Sequence, residues 1–198
     1  MGTEYPLIED AQQLNKSITA IDLRGKRLRS IPNEVLSSNQ LRILLLDKNE
    51  LTKIAARIGQ LKKLKTLSLS ENGHFEFLHP IFIDDPLSVI PAEIGQLREL
   101  QTLDLNSNQF SSLPAEIGQL KQLQTLNLGN NQLSSLPVEI TQLKGLKKLD
   151  LSGNQLSSLP PEIEQLKNLK ELYLWDNNLS DQEKEKIKKL LPNCVIKF

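Results

Sequence analysis

Residues 100–122, LQTLDLNSNQFSSLPAEIGQLKQ, decide the fold, because most of the chain restates them. Leu100, Leu103 and Leu105 follow a strand-like alternation that turns Leu103 and Leu105 to one face and leaves Asp104 on the other. The second half carries Pro114 and is too short for a long helix, so a 3₁₀ turn or a single helical turn is expected there. The pattern L-x-x-L-x-L-x-x-N-x-L begins at Ile18, Leu41, Leu64, Leu100, Leu123, Leu146 and Leu169, in steps of 23, 23, 36, 23, 23 and 23 residues. The long step is 36 − 23 = 13 residues too long, and aligning LSVIPAEIGQL (87–97) with FSSLPAEIGQL (110–120) assigns the excess to residues 74–86.

One such coil cannot bury its leucine stripe. Stacked coils can, because their strands pair into a parallel sheet and the leucines become continuous. The expected fold class is an α/β solenoid: a parallel β-sheet on the concave face, short 3₁₀ or irregular turns on the convex face, and a helical cap at each end. It forms a single domain over residues 1–198, with the repeats at 18–179. The asparagines at the ninth position, Asn49, Asn72, Asn108, Asn131, Asn154 and Asn177, can satisfy backbone groups where each strand turns away, and form a structural ladder. Repeat one has Lys26 there, which implies a turn that is looser or capped by other means.

The ends read as lids on the stack. In residues 3–17, Leu7, Ile8, Ala11 and Leu14 share one helical face behind Pro6. In residues 180–198, Ser180 and Glu183 form a capping-box pattern, and Ile187, Leu190 and Leu191 make a buried face. Pro192 ends that helix, and a last strand with Cys194 and Ile196 inward is expected after it. Closed at both ends, the chain is expected to be complete.

Composition narrows the function. The formal net charge is zero, which argues against nucleic acid or an anionic membrane as a partner. No run of about 18 apolar residues is present, so no membrane-inserted helix is expected, and the N-terminus lacks a signal-peptide pattern. The one cysteine, Cys194, has no mate for an intramolecular disulfide. No glycine-rich phosphate loop and no nucleophile–histidine pairing occurs, and Asp22, Asp104 and Asp150 lie in repeats one, four and six, so no enzyme and no cofactor are expected.

The repeat LQTLDLNSNQFSSLPAEIGQLKQ resembles the 23-residue leucine-rich repeats of bacterial proteins, notably those of Leptospira, and more distantly the Ras-group leucine-rich repeats of eukaryotes. The resemblance covers residues 18 to about 190. It implies a horseshoe-shaped solenoid that binds a protein ligand on its concave face, is secreted or held at the cell surface, and contacts host molecules. The alternatives are a cytoplasmic signalling scaffold, as among the Ras-group relatives, and a self-associating structural protein. Two departures stand out: the insertion breaks the array, and Ala55 and Arg57 replace the usual proline and glutamate.

On such a scaffold, binding residues lie at outward strand positions. Repeats four to six offer small polar groups, chiefly Asp104, Asn106, Asn127 and Asp150. Repeat seven offers Tyr173 and Trp175, the latter the only tryptophan, as an aromatic anchor; the alternative is that both pack on the C-terminal helix. Ile43 and Leu45 give an apolar spot towards the other end. Charge is uneven lengthwise: residues 24–65 hold eleven Lys and Arg against three acids, whereas residues 66–119 hold one Arg against eight acids. Convex lysines such as Lys62 and Lys63 read as solvated surface.

The insertion holds both histidines, His74 and His79, and three of the five phenylalanines, Phe75, Phe77 and Phe82. No recognised metal-ligand spacing accompanies the histidines. Its apolar content suits either a lid folded onto the solenoid or an arm that holds a partner or a second copy. The lid fits a monomer, the arm an insertion-mediated dimer.

Overall fold

The computed structural model describes residues 18–72 and 86–198. The cap expected at 3–17 and the insertion, apart from Pro86, lie outside the described residues. Eight short strands form one all-parallel sheet in chain order: β1 (Ala20–Asp22), β2 (Ile43–Leu45), β3 (Thr66–Ser68), β4 (Thr102–Asp104), β5 (Thr125–Asn127), β6 (Lys148–Asp150), β7 (Glu171–Tyr173) and β8 (Val195–Lys197). Each of β1 to β7 presents a fully buried leucine or isoleucine at its centre, from Ile21 to Leu172, with less buried residues on either side, whereas the central Ile196 of β8 is half-buried. That is the period-two alternation read from the sequence.

Pairing steps by 23 residues, as in Ile43↔Thr66 and Thr102↔Thr125, and by 36 across the insertion, where Thr66 pairs Thr102 and Ser68 pairs Asp104. The sheet therefore continues across the insertion, as the assignment of the excess residues to 74–86, beyond the strand of repeat three, implies. The insertion leaves after the turn that follows β3, so its length never enters the ladder.

The convex side is a column of turns. Repeat one uses the α-helical turn α1 (Asn33–Leu36), and repeats two to six use 3₁₀ turns, Ala56–Gln60, Ala92–Gln96, Ala115–Gln119, Val138–Gln142 and Pro161–Gln165. Prolines precede or open these turns because their fixed φ suits the extended residue at that point: Pro114 has φ −69° and ψ 147°. Ala55 adopts the same geometry, φ −64° and ψ 141°, without the ring. Arg57 donates to Asn33 Oδ1 (3.0 Å) and Ser37 Oγ (3.2 Å), tying the second turn to the first. The turns stack closely: a Cβ on Gly118 would lie 2.5 Å from the Glu139 carbonyl oxygen, which explains the glycine in the IGQ segments.

At the C-terminal end α2 (Asp181–Leu190) covers the last coil, burying Ile187. Only half of the expected capping box forms. Ser180 Oγ accepts from the Glu183 N–H (3.2 Å), but the Glu183 carboxylate accepts from the Leu159 N–H (3.3 Å) and so anchors the cap helix to repeat six. Leu191 is buried, Leu190 half-buried, and Cys194 and Ile196 pack partly buried against the core, while Val195 faces out.

Candidate interaction surface

The asparagine ladder sets the shape of the rim at which strands end. Each Asn amide donates to carbonyls of its own coil and the preceding one and accepts from the preceding coil. Asn131 Nδ2, for example, donates to Leu105 O, Leu128 O and Gly129 O, and its Oδ1 accepts from Phe110 N. The ladder crosses the insertion, since Asn108 Oδ1 accepts from Asn72 N (3.0 Å) and its Nδ2 donates to Leu69 O (3.0 Å). Asn154 and Asn177 repeat the pattern in the last coils. The turn at Lys26 is capped from the next coil: Asn49 Oδ1 accepts from both Lys26 N and Leu28 N at 3.0 Å. No buried side-chain nitrogen or oxygen lacks a partner among the described residues.

Beside this rim, the eighth position of each repeat is left-handed, from φ 52° at Asn130 to 65° at Gly25. Only Gly25 and Gly153 supply glycine there; Lys48, Glu71, Ser107 and Asp176 hold the same conformation with a side chain.

The solvent face of the sheet carries the residues read as a binding surface. Ile43 and Leu45 stand half-buried on β2, beside Thr66 and Ser68. Asp47, which no sequence signal singled out, organises this end: its Oδ1 accepts from Ser68 Oγ, from Ser70 N (2.9 Å) and from Ser70 Oγ (2.8 Å). It lies in an open cleft of about 580 Å³, lined also by Asp22, Arg24, Lys26, Lys48 and Glu71. Arg24 binds Asp22 through its guanidinium (2.6 Å) and holds that carboxyl below its ordinary range.

In the centre, Asp104 Oδ1 accepts from Asn106 N (3.0 Å). Burial raises the Asp104 carboxyl above its ordinary value, and the charges of Asp47 and Asp150 add to the rise, while bonds from Asn106 and Asn127 oppose it. The Asp104 carboxyl thus feels charges from repeats two and six, although Asp104 and Asp150 are two strands apart. Asp150 Oδ1 accepts from Ser152 N (3.0 Å) and Ser152 Oγ (2.6 Å), and Asn127 Oδ1 from Gly129 N (3.1 Å). These local bonds fix the polar side chains of the face.

Tyr173 and Trp175 meet edge to face, with ring centroids 5.2 Å apart and planes at 80°. Lys148 Nζ lies 4.9 Å from the Tyr173 centroid, and the Tyr173 hydroxyl donates to Glu171 Oε2 (2.7 Å), which pushes the phenol above its usual range. Trp175 is 40% exposed. Each ring of the pair thus braces the other, with Lys148 and Glu171 of the sheet beside Tyr173. No group of three or more His, Cys, Asp or Glu able to hold a metal occurs among the described residues.

Residues 98–156 match the Leucine rich repeat family, and residues 144–189 match a family of paired Leucine Rich repeats. A leucine-rich-repeat protein of Leptospira interrogans is 40% identical, with a TM-score of 0.60 over 92% of this chain and 55% of that one. An internalin of Listeria monocytogenes is 22% identical, with a TM-score of 0.66 and the same coverage; it shows the fold alone. The chain spans little more than half the length of either protein. No curated protein matches. The repeats of this chain are leucine-rich repeats, and its fold is the leucine-rich-repeat solenoid.

Proposed function

We propose that the chain is a non-catalytic protein-interaction module that takes its partner on the concave face of the sheet. Trp175 carries this reading: a large ring, partly open to solvent and braced by Tyr173, stands beside a row of fixed polar groups at Asp104, Asn106, Asn127 and Asp150. A braced aromatic loses little freedom on binding, and the neighbouring polar groups supply directional bonds. Ile43 and Leu45 give a second, weaker apolar contact. The resemblance to the Leptospira protein supports a secreted or surface-held chain and a host or extracellular protein as partner.

The test uses the purified chain against a panel of purified extracellular and cell-surface proteins. Trp175→Ala should weaken a captured partner by about 2 kcal/mol, roughly thirtyfold, with an unchanged melting curve. Unchanged affinity for the same partner would remove the aromatic anchor, and loss caused equally by a convex substitution such as Glu116→Ala would remove the concave face.

A further inference from the structure

Charge on the outside of the solenoid is sorted by position in the repeat. The rim where the strands begin is made by the last two residues of each coil and the residue leading each strand. Its penultimate coil position holds Lys62, Arg98, Lys121, Lys144 and Lys167. The residue leading the strand adds Arg42, Lys65, Lys147 and Lys170. With Lys63, the rim carries ten cations against one carboxylate, that of Glu99. The zero net charge of the chain conceals this row.

None of these ten takes part in the seven ion pairs formed among the described residues. Six of them donate instead to a glutamine Oε1, as Lys62 does to Gln96 (2.7 Å), Lys121 to Gln142 (3.0 Å) and Lys147 to Gln124 (3.0 Å), with Lys63, Arg98 and Lys144 doing the same. An amide oxygen orients a cation without neutralising it. The nearest regular acids, Glu93, Glu116 and Glu139, sit in the first turn of the 3₁₀ segments, at the end away from the rim, and pair with none of it.

We propose that this rim binds a linear sulfated polysaccharide. Neighbouring strands lie roughly 4.8 Å apart, so the five penultimate cations form a track about 20 Å long, which suits a chain bearing charge at intervals along its length. Eight of the ten cations are lysines, point charges that accept sulfate in many orientations. Among the described residues, none of the exposed large apolar side chains, Val89, Val138, Trp175 and Val195, occupies a rim position, so these residues offer a nucleic acid no ring to stack on there and a peptide no anchor. The site is separate from the sheet face and does not depend on the protein-binding reading.

The experiment is titration calorimetry of the whole chain with a size-defined heparin oligosaccharide, repeated at several salt concentrations. The rim variant Lys144→Gln/Lys147→Gln/Lys167→Gln/Lys170→Gln should bind about tenfold or more weakly, with a shallower salt dependence because fewer counterions are released. The control Lys184→Gln/Lys186→Gln/Lys188→Gln/Lys189→Gln removes the same charge from α2 and should stay within about twofold. Trp175→Ala should leave the titration unchanged. Equal losses in the two lysine variants would reduce the effect to net charge and overturn the site, as would absence of binding by the unaltered chain. Poly-L-glutamate of matched charge binding as tightly as heparin would overturn the polysaccharide and assign the rim to an acidic protein segment.

Discussion

Two side-chain ladders run the length of the solenoid in the same step, and they differ in everything but period. Five of the six ladder asparagines are buried, from 0% exposure at Asn72 to 7% at Asn154, with Asn177 in the last repeat half-buried, and each amide binds several main-chain groups. The lysine–glutamine ladder on the strand-leading rim is largely exposed, and its rungs are one bond or two, such as the single bond from Lys121 Nζ to Gln142 Oε1 (3.0 Å). Repetition alone therefore says nothing about energy. Burial separates a rung that the fold requires from one that merely positions a charge. Asn131→Ala should give the largest effect, because Leu105 O, Leu128 O and Phe110 N lose a partner where water has little access. A loss on the order of 3 kcal/mol is expected in urea unfolding, from about 1–3 kcal/mol for each buried group left unmet. A loss under about 1 kcal/mol would mean that water substitutes for the amide, and would erase the contrast between the ladders.

Most of the fold could be read from the sequence because the repeat encodes it several times over: leucine alternation, asparagine at the turn, proline before the 3₁₀ segment. What stayed hidden involves contacts between coils that no single coil specifies. The Glu183 carboxylate leaves its own helix for Leu159 N, Asp47 gathers Ser68 and Ser70 from the next coil, and Asn49 caps the turn at Lys26 from one coil away. The same blindness concealed the rim, since Lys62 and Lys63 look like scattered solvated charges until stacking brings them into a row. The candidate site was readable as a set of positions, because period two fixes which residues face out; the ring geometry of Tyr173 and Trp175 depends on side-chain rotamers, and the effect of Asp47 and Asp150 on Asp104 requires the spacing of strands.

Asp104 sharpens the contrast from a different side, as a polar group that is partly buried and charged. Folding raises its pKa above the ordinary 3.8, so the native state holds the proton more tightly than the unfolded chain does. Its contribution is most favourable below that ordinary value and is lost as pH rises through the raised one. Asp104→Asn keeps an acceptor for Asn106 N and removes the charge, so it should stabilise the chain at pH 7 and leave stability nearly unchanged at pH 3. Urea midpoints at the two pH values decide it; an equal shift at both would show that repacking, and not charge, is responsible. Ala55→Pro should follow in size. Ala55 already holds the proline geometry, and its N–H donates to no acceptor among the described residues. A gain of about 0.4–1 kcal/mol is expected from the stiffer unfolded chain, and a loss would mean that the convex turn at residue 55 differs from its neighbours.

The smallest effect belongs to the exposed ladder. Lys121→Ala removes one bond to Gln142 across 3.0 Å, both ends of which water can replace. The expected change in unfolding free energy is within about 0.5 kcal/mol, the range of a surface substitution. Its value lies in the comparison with Asn131, one coil away and on the same period. If both substitutions cost alike, each ladder would be a fastening of the stack, and the cations of the rim would be held for stability. If Lys121 costs almost nothing while Asn131 costs several times more, the solenoid does not need its cationic row, and the order in that row is available for binding.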